Sequence, residues 1–280
     1  MCTVLRVISA NVNGLRAAVR RGGLDWLAQQ RPDVLTLQEV RCSTEQLHEA
    51  LDASAFAGWH VAYDEPLAKG RSGCAVVSRQ VPGTVRIGLG HKEFAGSGRW
   101  VEVDLDDVLD LPPAGAVAGP SPLTVVSAYV HTGQAATERQ VTKERFLDAM
   151  SRRMAVLVRE ARHAVVTGDL NVAHRELDLR NWRGNKGKAG FLPSERAFFD
   201  RWLAKGWHDV QREIADDVDG PYSWWSWRGQ AFDNDTGWRI DYQLATADLA
   251  DRAVEAFSGR AASYAQRWSD HAAVVVDYDA

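Results

Sequence analysis

Short apolar runs that each stop at an acid, an amide or an imidazole recur along this 280-residue chain, and they constrain its fold more than any other feature. Residues 5–9 alternate apolar and polar and run into Asn11-Val12-Asn13-Gly14. Residues 34–37 deliver Gln38-Glu39, residues 123–129 end in His131-Thr132-Gly133, and residues 164–167 end in Gly168-Asp169-Leu170-Asn171. Two late runs, 238–245 and 272–278, have Asp241 inside the first and Asp270-His271 just before the second. Runs of this length and pattern read as strands. Helical stretches lie between them. Residues 24–29 form a short helix stopped by Pro32, and Ser43 with Gln46 opens another as a capping box toward Leu51. Residues 142–162 place Phe146, Met150, Met154 and Leu157 on one face, and Ser194 heads a helix through Phe198, Phe199 and Leu203. Residues 74–78 and 100–104 read as paired strands of an antiparallel sheet, and 112–120 as a Pro/Gly-rich surface loop. Strand, helix and strand alternate in both halves, with polar residues at strand ends. The expected fold is therefore α/β: a four-layered sandwich of two packed β-sheets flanked by helices, one domain over residues 1–280, with a site at one edge.

Composition narrows the class. With 45% hydrophobic and 25% charged residues the chain reads as an ordinary globular protein, which excludes disorder and a disulfide scaffold. No apolar run approaches the roughly 20 residues of a membrane span. The first residues lack a basic region followed by an apolar stretch, so no secretory leader is expected. Three cysteines, Cys2, Cys42 and Cys74, have no metal-ligand spacing and suggest reduced thiols in a cytoplasm, with Cys42 packed rather than redox-active. A formal net charge of −4 argues against coating nucleic acid through bulk charge, yet leaves room for a local basic face. It also leaves 11 tryptophans to be explained.

Each polar strand end is bland by itself. An Asn after a strand is usually a turn residue, and Asp-x-Asn after Gly commonly caps a turn. Taken together, Asn11, Glu39, Asp169, Asn171, Asp241, Asp270 and His271 can converge if the sheets pack face to face. Carboxylates and amides with one imidazole suit a hard divalent cation, Mg²⁺ or Mn²⁺, more than zinc. Such a site with an Asp-His pair points to phosphoryl chemistry. The bland alternative is a hydrogen-bonded polar cluster that merely closes the sandwich edge.

The same stretches carry a resemblance. Asn11-Val12-Asn13-Gly14-Leu15-Arg16-Ala17, Leu37-Gln38-Glu39-Val40-Arg41-Cys42, Gly168-Asp169-Leu170-Asn171-Val172-Ala173-His174, Gly237-Trp238-Arg239-Ile240-Asp241-Tyr242 and Ser269-Asp270-His271 are similar to exonuclease III-type apurinic/apyrimidinic endonucleases. Ser-Asp-His recurs across the wider endonuclease/exonuclease/phosphatase superfamily. The stretches Asp178-Leu179-Arg180-Asn181 and Gly237 to Asp241 are narrower and favour the abasic-DNA branch. The resemblance implies a DNase I-like fold and a hydrolase of DNA repair that cuts 5′ to abasic sites in double-stranded DNA. It leaves 3′-hydroxyl and 5′-deoxyribose phosphate ends and also trims blocked 3′ ends. Glu39 is then the main Mg²⁺ ligand, with Asn11 and Asp270 as further ligands. Asp169 handles the attacking water, Asn171 and Tyr129 hydrogen-bond the phosphate, His271 oriented by Asp241 contacts a phosphate oxygen, and Asn181 helps from a neighbouring loop.

DNA contact falls to Arg16, Arg20 and Arg21 on the loop and turn after the first strand, and to Arg180, Arg183, Lys186 and Lys188 in a glycine-interleaved loop, where the resemblance implies a further contact by Asn185. Residues 222–227 form an aromatic run at strand spacing, with Tyr222 and Trp224 on one face and Trp225 and Trp227 on the other, the latter pair as core. For Trp224, Trp238 and Ile240 the resemblance implies a pocket for an extruded, baseless sugar, selected because a missing base lowers the cost of extrusion. His131-Thr132-Gly133 departs from the Pro-Asn-Ala-Gly run of eukaryotic members, which bears on the balance of activities. The expected protein is a monomer with no membrane partner, cytoplasmic and nucleoid-associated if bacterial. The rivals are a phosphatase of inositol phosphates or lipid headgroups, and a weakly catalytic protein that binds damaged DNA.

Overall fold

The computed structural model describes residues 4–106, 108–109, 122–160 and 163–280. Two six-stranded sheets form its centre. The first contains β1 (Val4–Asn11), β2 (Val34–Gln38), β3 (His60–Asp64), β4 (Cys74–Ser78), β11 (Ala253–Gly259) and β12 (Ala273–Asp279), in the order β11-β12-β1-β2-β4-β3. The second contains β5 (Thr84–Ile87), β6 (Trp100–Leu105), β7 (Leu123–Tyr129), β8 (His163–Asp169), β9 (Trp207–Asp209) and β10 (Asp241–Thr246), in the order β5-β6-β7-β8-β10-β9. Each sheet has one parallel pair at its middle, β1 with β2 and β7 with β8, and antiparallel neighbours on both sides. The helices are α1 (Leu15–Arg20), α2 (Gly23–Gln29), α3 (Thr44–Asp52), α4 (Glu138–Arg159), α5 (Trp182–Asn185), α6 (Pro193–Leu203), α7 (Val210–Ala215) and α8 (Ala247–Ala250).

Strand periodicity sorts the apolar side chains into three cores, which is why the layers number four. In β1, Leu5 and Val7 face the second sheet while Ile8 and Ala10 face α1–α3. In β8, Val165 faces the first sheet while Ala164 and Val166 face α4 and α6. Toward one edge the inner layer turns polar. Thr36 and Thr167 meet across the sheets at 2.6 Å, and Gln38 donates to Ser127 at 3.0 Å. These groups are fully buried and paired, so they fix how one sheet sits on the other instead of leaving it to slide on apolar contacts.

That edge is where the polar strand ends converge. The C-terminal ends of the two parallel pairs carry Asn11, Gln38, Tyr129 and Asp169, and register sets Tyr129 and Asp241 directly beside Asp169. The expected sandwich is thus the observed one.

Several local expectations change. Residues 74–78 and 100–104 do not pair: β4 and β6 belong to opposite sheets and face each other through the core. Both strands are buried on both faces, so nothing in their patterns says which partner each takes. Arg16 and Arg20 lie on α1, not on a loop. The long helix begins at Glu138, four residues earlier than expected, and ends at Arg159. α6 begins at Pro193, with Glu195 accepting from the Leu192 amide at 3.0 Å, so Ser194 lies inside the helix. Residues 222–227 form no strand. Trp224 makes single bridges to Trp238 and His271, Trp225 is buried with Phe232, and Trp227 sits half-buried between Arg21 and Arg267. The expected loop at 112–120 and Cys2 lie outside the described residues. β3, β5, β9, β11 and α7 carry no expectation from the sequence; most are short or partly exposed and lack a strong period.

Candidate active site

Backbone geometry presents the key side chains. Glu39 follows β2 at φ 52° and Asn171 follows β8 at φ 50°, and Asn13 and Arg41 are also left-handed. Such residues cost on the order of 1 kcal/mol each and persist where surrounding contacts over-determine them. Gly168, just before Asp169, is required: a Cβ there would lie 2.0 Å from the Ala128 carbonyl oxygen.

Asn11, fully buried, joins the two sheets: its Nδ2 donates to Glu39 Oε1 at 3.0 Å and to Asp169 Oδ2 at 2.9 Å. Its Oδ1 accepts from the Asn13 amide. Asn171 donates to Asp169 Oδ2 from its side chain and to Oδ1 from its backbone, both at 2.9 Å. His271 Nδ1 lies 2.8 Å from Asp241 Oδ2, and its Nε2 lies 3.8 Å from Asp169 Oδ2. Ser223 donates to the same Asp241 oxygen at 2.6 Å, which fixes the carboxylate behind the ring. Asp270 accepts from Asn13 Nδ2 at 2.7 Å and from Trp224 Nε1 at 3.1 Å.

Electrostatics follow from burial and proximity. Burial works against a charged imidazole, but Asp241 and then Asp169 outweigh it and push His271 up to about 10. Burial also raises Asp169 well above the carboxylate range, opposed by His271. The imidazole lies between two carboxylates, and their charges favour its cationic form. Burial, reinforced by Glu39 and Asp169, keeps the Tyr129 phenol protonated and therefore a donor. Cys42 is buried and its thiol is pushed up to about 11 by burial, the behaviour of a packed residue.

Glu39, Asp169, Asn171, Asp270 and His271 share one pocket of about 340 Å³ with Trp224, Trp238 and Ile240. The two indoles meet edge to face, centroids 6.4 Å apart. Gly190 lies against Trp238, where a Cβ would come within 3.1 Å of the indole. Ligand atoms of Glu39, Asp169 and His271 lie within 4.8 Å of one another. With its Nδ1 committed to Asp241 and its cationic form favoured by the two carboxylates, His271 is the poorest ligand of the three. The donors left are carboxylate oxygens, a set that fits a hard divalent cation.

Two buried charge networks form the walls, and sequence reasoning missed both. Arg239, wholly buried, donates to Asp178 at 2.7 Å and to both oxygens of Asp209 at 2.8 and 2.6 Å; Arg212 joins Asp178 at 2.6 Å. This network explains why the Asp178–Asn181 and Gly237–Asp241 stretches occur together: each holds the other's charge, with Trp238 and Ile240 flanking Arg239. Burial opposes the Asp178 charge, but Arg239 and Arg212 outweigh it and bring the carboxyl down to about 2. On the other wall, Lys143 Nζ donates to Glu195 at 2.5 Å and to the Asn171 carbonyl at 2.8 Å. Glu195 in turn accepts from the Gly190 amide at 2.7 Å. A lysine three residues before Phe146, on the apolar face of α4, was the signal that could have found it.

Other expected residues stand apart. Asn181 is exposed and caps α5, accepting from the Gly184 amide, and does not line the pocket. Arg16, Arg180, Arg183, Lys186 and Lys188 are exposed; Arg180 pairs with Asp219, while Arg183 and Lys186 lie over Trp182 at 4.4 and 4.5 Å. Asn185 donates back to the Asn181 carbonyl. Asn13 and Arg41 line the pocket without having been assigned roles, and Thr132, of the His131-Thr132-Gly133 loop, lines it too.

Residues 8–271 match the Endonuclease/Exonuclease/phosphatase family. An exodeoxyribonuclease of Bacillus subtilis (strain 168) is 32% identical over 253 residues, 90% of this chain and 92% of that protein. The DNA repair nuclease APEX1 of Danio rerio is 31% identical over 248 residues, 88% of this chain and 74% of that protein. An AP endonuclease from Archaeoglobus fulgidus has a similar structure, TM-score 0.82 at 26% identity, over 99% of this chain and 100% of its own. The chain belongs to the endonuclease/exonuclease/phosphatase family and, within it, to the exonuclease III-type AP endonucleases, a group of phosphodiester hydrolases with the DNase I-like fold.

Proposed function

We propose that this protein is a Mg²⁺-dependent DNA-repair hydrolase, one catalytic domain over residues 1–280, that cuts double-stranded DNA 5′ to an abasic site. One observation carries the reading: the Asp169–His271–Asp241 line opens into the same pocket as the apolar wall of Trp224, Trp238 and Ile240. Phosphate-handling groups thus adjoin a surface that suits a sugar without a base. The names of the relatives, exodeoxyribonuclease and DNA repair nuclease, agree with it.

Glu39 and Asp270 would hold the cation, Mg²⁺ or Mn²⁺, with Asn11 beside them fixing the Glu39 carboxylate. A cation there supplies positive charge against the phosphate oxygens. Asp169 orients the attacking water and accepts its proton. His271, kept cationic by Asp241, and the Tyr129 phenol donate to the oxygens on which negative charge develops. Asn171 lines the pocket beside the same phosphate, and its amide, held by Asp169 and the Val130 carbonyl, would reach that phosphate by giving up one of those bonds. The P–O3′ bond breaks, leaving a 3′-hydroxyl and a 5′-deoxyribose phosphate. Arg16, Arg180, Arg183, Asn185, Lys186 and Lys188 hold flanking duplex, and Asn181 shapes the loop that carries all of them but Arg16. The same site accepts a blocked 3′ end, which gives 3′-5′ exonuclease and 3′-phosphatase activity. The protein works as a monomer in the cytoplasm, and no helix among the described residues is long and apolar enough to cross a membrane.

A labelled duplex with one tetrahydrofuran abasic analogue tests this. Incubated with Mg²⁺, it should yield a single product ending 5′ to the analogue, and none with chelator. Binding without product would favour a damage-binding protein. Release of phosphate from inositol phosphates in place of cutting would favour the phosphatase.

A further inference from the structure

Beyond Glu39, away from the two tryptophans, a second cavity of about 440 Å³ opens. Four arginines line it, Arg41, Arg71, Arg99 and Arg139, together with His131; among the described residues its one lining acid is Glu39, already in contact with Arg41. The other arginines are held without being neutralised. Arg139 donates to the Thr132 carbonyl at 2.7 Å, and Arg99 lies over the Tyr129 ring at 4.9 Å. Among the described residues, Arg71, Arg99 and Arg139 form no ion pair with a carboxylate. The local field is correspondingly positive: burial and then Arg99 bring His131 down to about 4. Cations gathered around a cavity and left without counter-charges form a site for an anion.

We propose that this cavity binds the backbone phosphate next 5′ to the scissile one on the cleaved strand. The assignment rests on the proposed function and follows from polarity. The baseless sugar, on the 3′ side of the scissile phosphate, lies against Trp224 and Trp238, and the leaving O3′ belongs to the 5′ neighbour. Glu39 and Arg41 line both cavities, so a strand crossing the carboxylates from the tryptophan end enters the arginine cavity with its next upstream phosphate. Arg71 and Arg139 are exposed at its rim and are the specific contacts; Arg99 and Arg41 complete the cradle. The role is to hold the upstream strand so that O3′ is positioned to leave in line with the attacking water.

The test is a neutral-phosphate scan. Tetrahydrofuran duplexes each carry one methylphosphonate at a chosen position, and binding by the full chain is read by fluorescence anisotropy in chelator. For the unaltered protein, neutralising the first upstream phosphate should weaken binding about tenfold. The variant Arg71→Ala with Arg139→Ala should bind the all-phosphate duplex about tenfold more weakly. It should show no further loss from methylphosphonate at that position, while losses elsewhere persist. Its log Kd should also depend on log salt with a slope smaller by about 1. Equal residual losses at every position, or a penalty confined to downstream phosphates or the opposite strand, would overturn the assignment. So would competition by inorganic phosphate that Arg71 and Arg139 govern, without any position-dependent loss on DNA. Thermal melting confirms that the rim variant is folded. Cutting 5′ to the analogue by the unaltered protein reports separately on the proposed function, so the two readings fail by different results.

Discussion

Arginines at the two ends of the catalytic cleft face opposite fates. Behind the tryptophan end, Arg239 and Arg212 are buried and their charges are neutralised by Asp178 and Asp209. At the other end, Arg71, Arg99 and Arg139 are exposed or half-buried and hold their charge unspent. A buried, paired cation cannot recruit a polyanion, but it can fix the shape of a wall. An unpaired one at a rim contributes little to folding and much to binding. The formal charge of −4 therefore conceals a division of labour: part of the basic complement is internal and paired, and the part left unpaired is gathered locally at one rim.

Substitutions should divide along the same line. Arg239→Met leaves Asp209 and half of the Asp178 environment without a counter-ion in the interior, and should cost about 3–5 kcal/mol of stability. Urea unfolding measures it; a loss below about 1 kcal/mol would break the distinction between the two ends. Lys143→Met should cost nearly as much, about 3 kcal/mol, because Glu195 remains buried and charged. Adding Glu195→Gln should recover part of that stability while keeping an acceptor for the Gly190 amide. The cutting rate should stay at least about tenfold down, because the Asn171 carbonyl has lost its donor.

Acid should expose the buried network. The folded Asp178 carboxyl sits at about 2, below the unfolded value near 4, so its contribution is complete above pH 4 and disappears as pH falls through 2. Unfolding free energies between pH 5 and pH 2.5 should fall more for the unaltered chain than for Asp178→Asn, by on the order of 1–2 kcal/mol. Equal slopes would assign acid lability elsewhere. At the small end, Arg180 and Asp219 are 55% and 59% exposed, so Arg180→Ala should move stability by less than about 0.5 kcal/mol.

What the sequence made legible depended on contiguity. Asp169 with Asn171, and Asp270 with His271, sit next to each other at strand ends, so a local pattern sufficed. The layer count was legible because strand and helix periods differ along the chain. Lys143 and Glu195 are 52 residues apart on two helices, and nothing in either segment names its partner. β4 and β6 do not name their partners, because strands buried on both faces show no alternation. Residues 222–227 read as a strand by spacing, yet the backbone bonds of residues 223–225 to Trp238, Asp270 and Ala272 form isolated bridges that sequence patterning does not encode. Arg239 sat in a recognised stretch, but its role as the wall's internal charge appeared only when Asp178 and Asp209 closed around it.

The central claim is that Asp169 handles the attacking water in a pocket that receives a baseless sugar. Single-turnover cutting of the tetrahydrofuran duplex by Asp169→Asn, in Mg²⁺ and at saturating protein, measures this directly. The account predicts a rate lower by at least about a thousandfold with binding retained, since the amide cannot accept the proton. Cutting at the full rate by Asp169→Asn would contradict it.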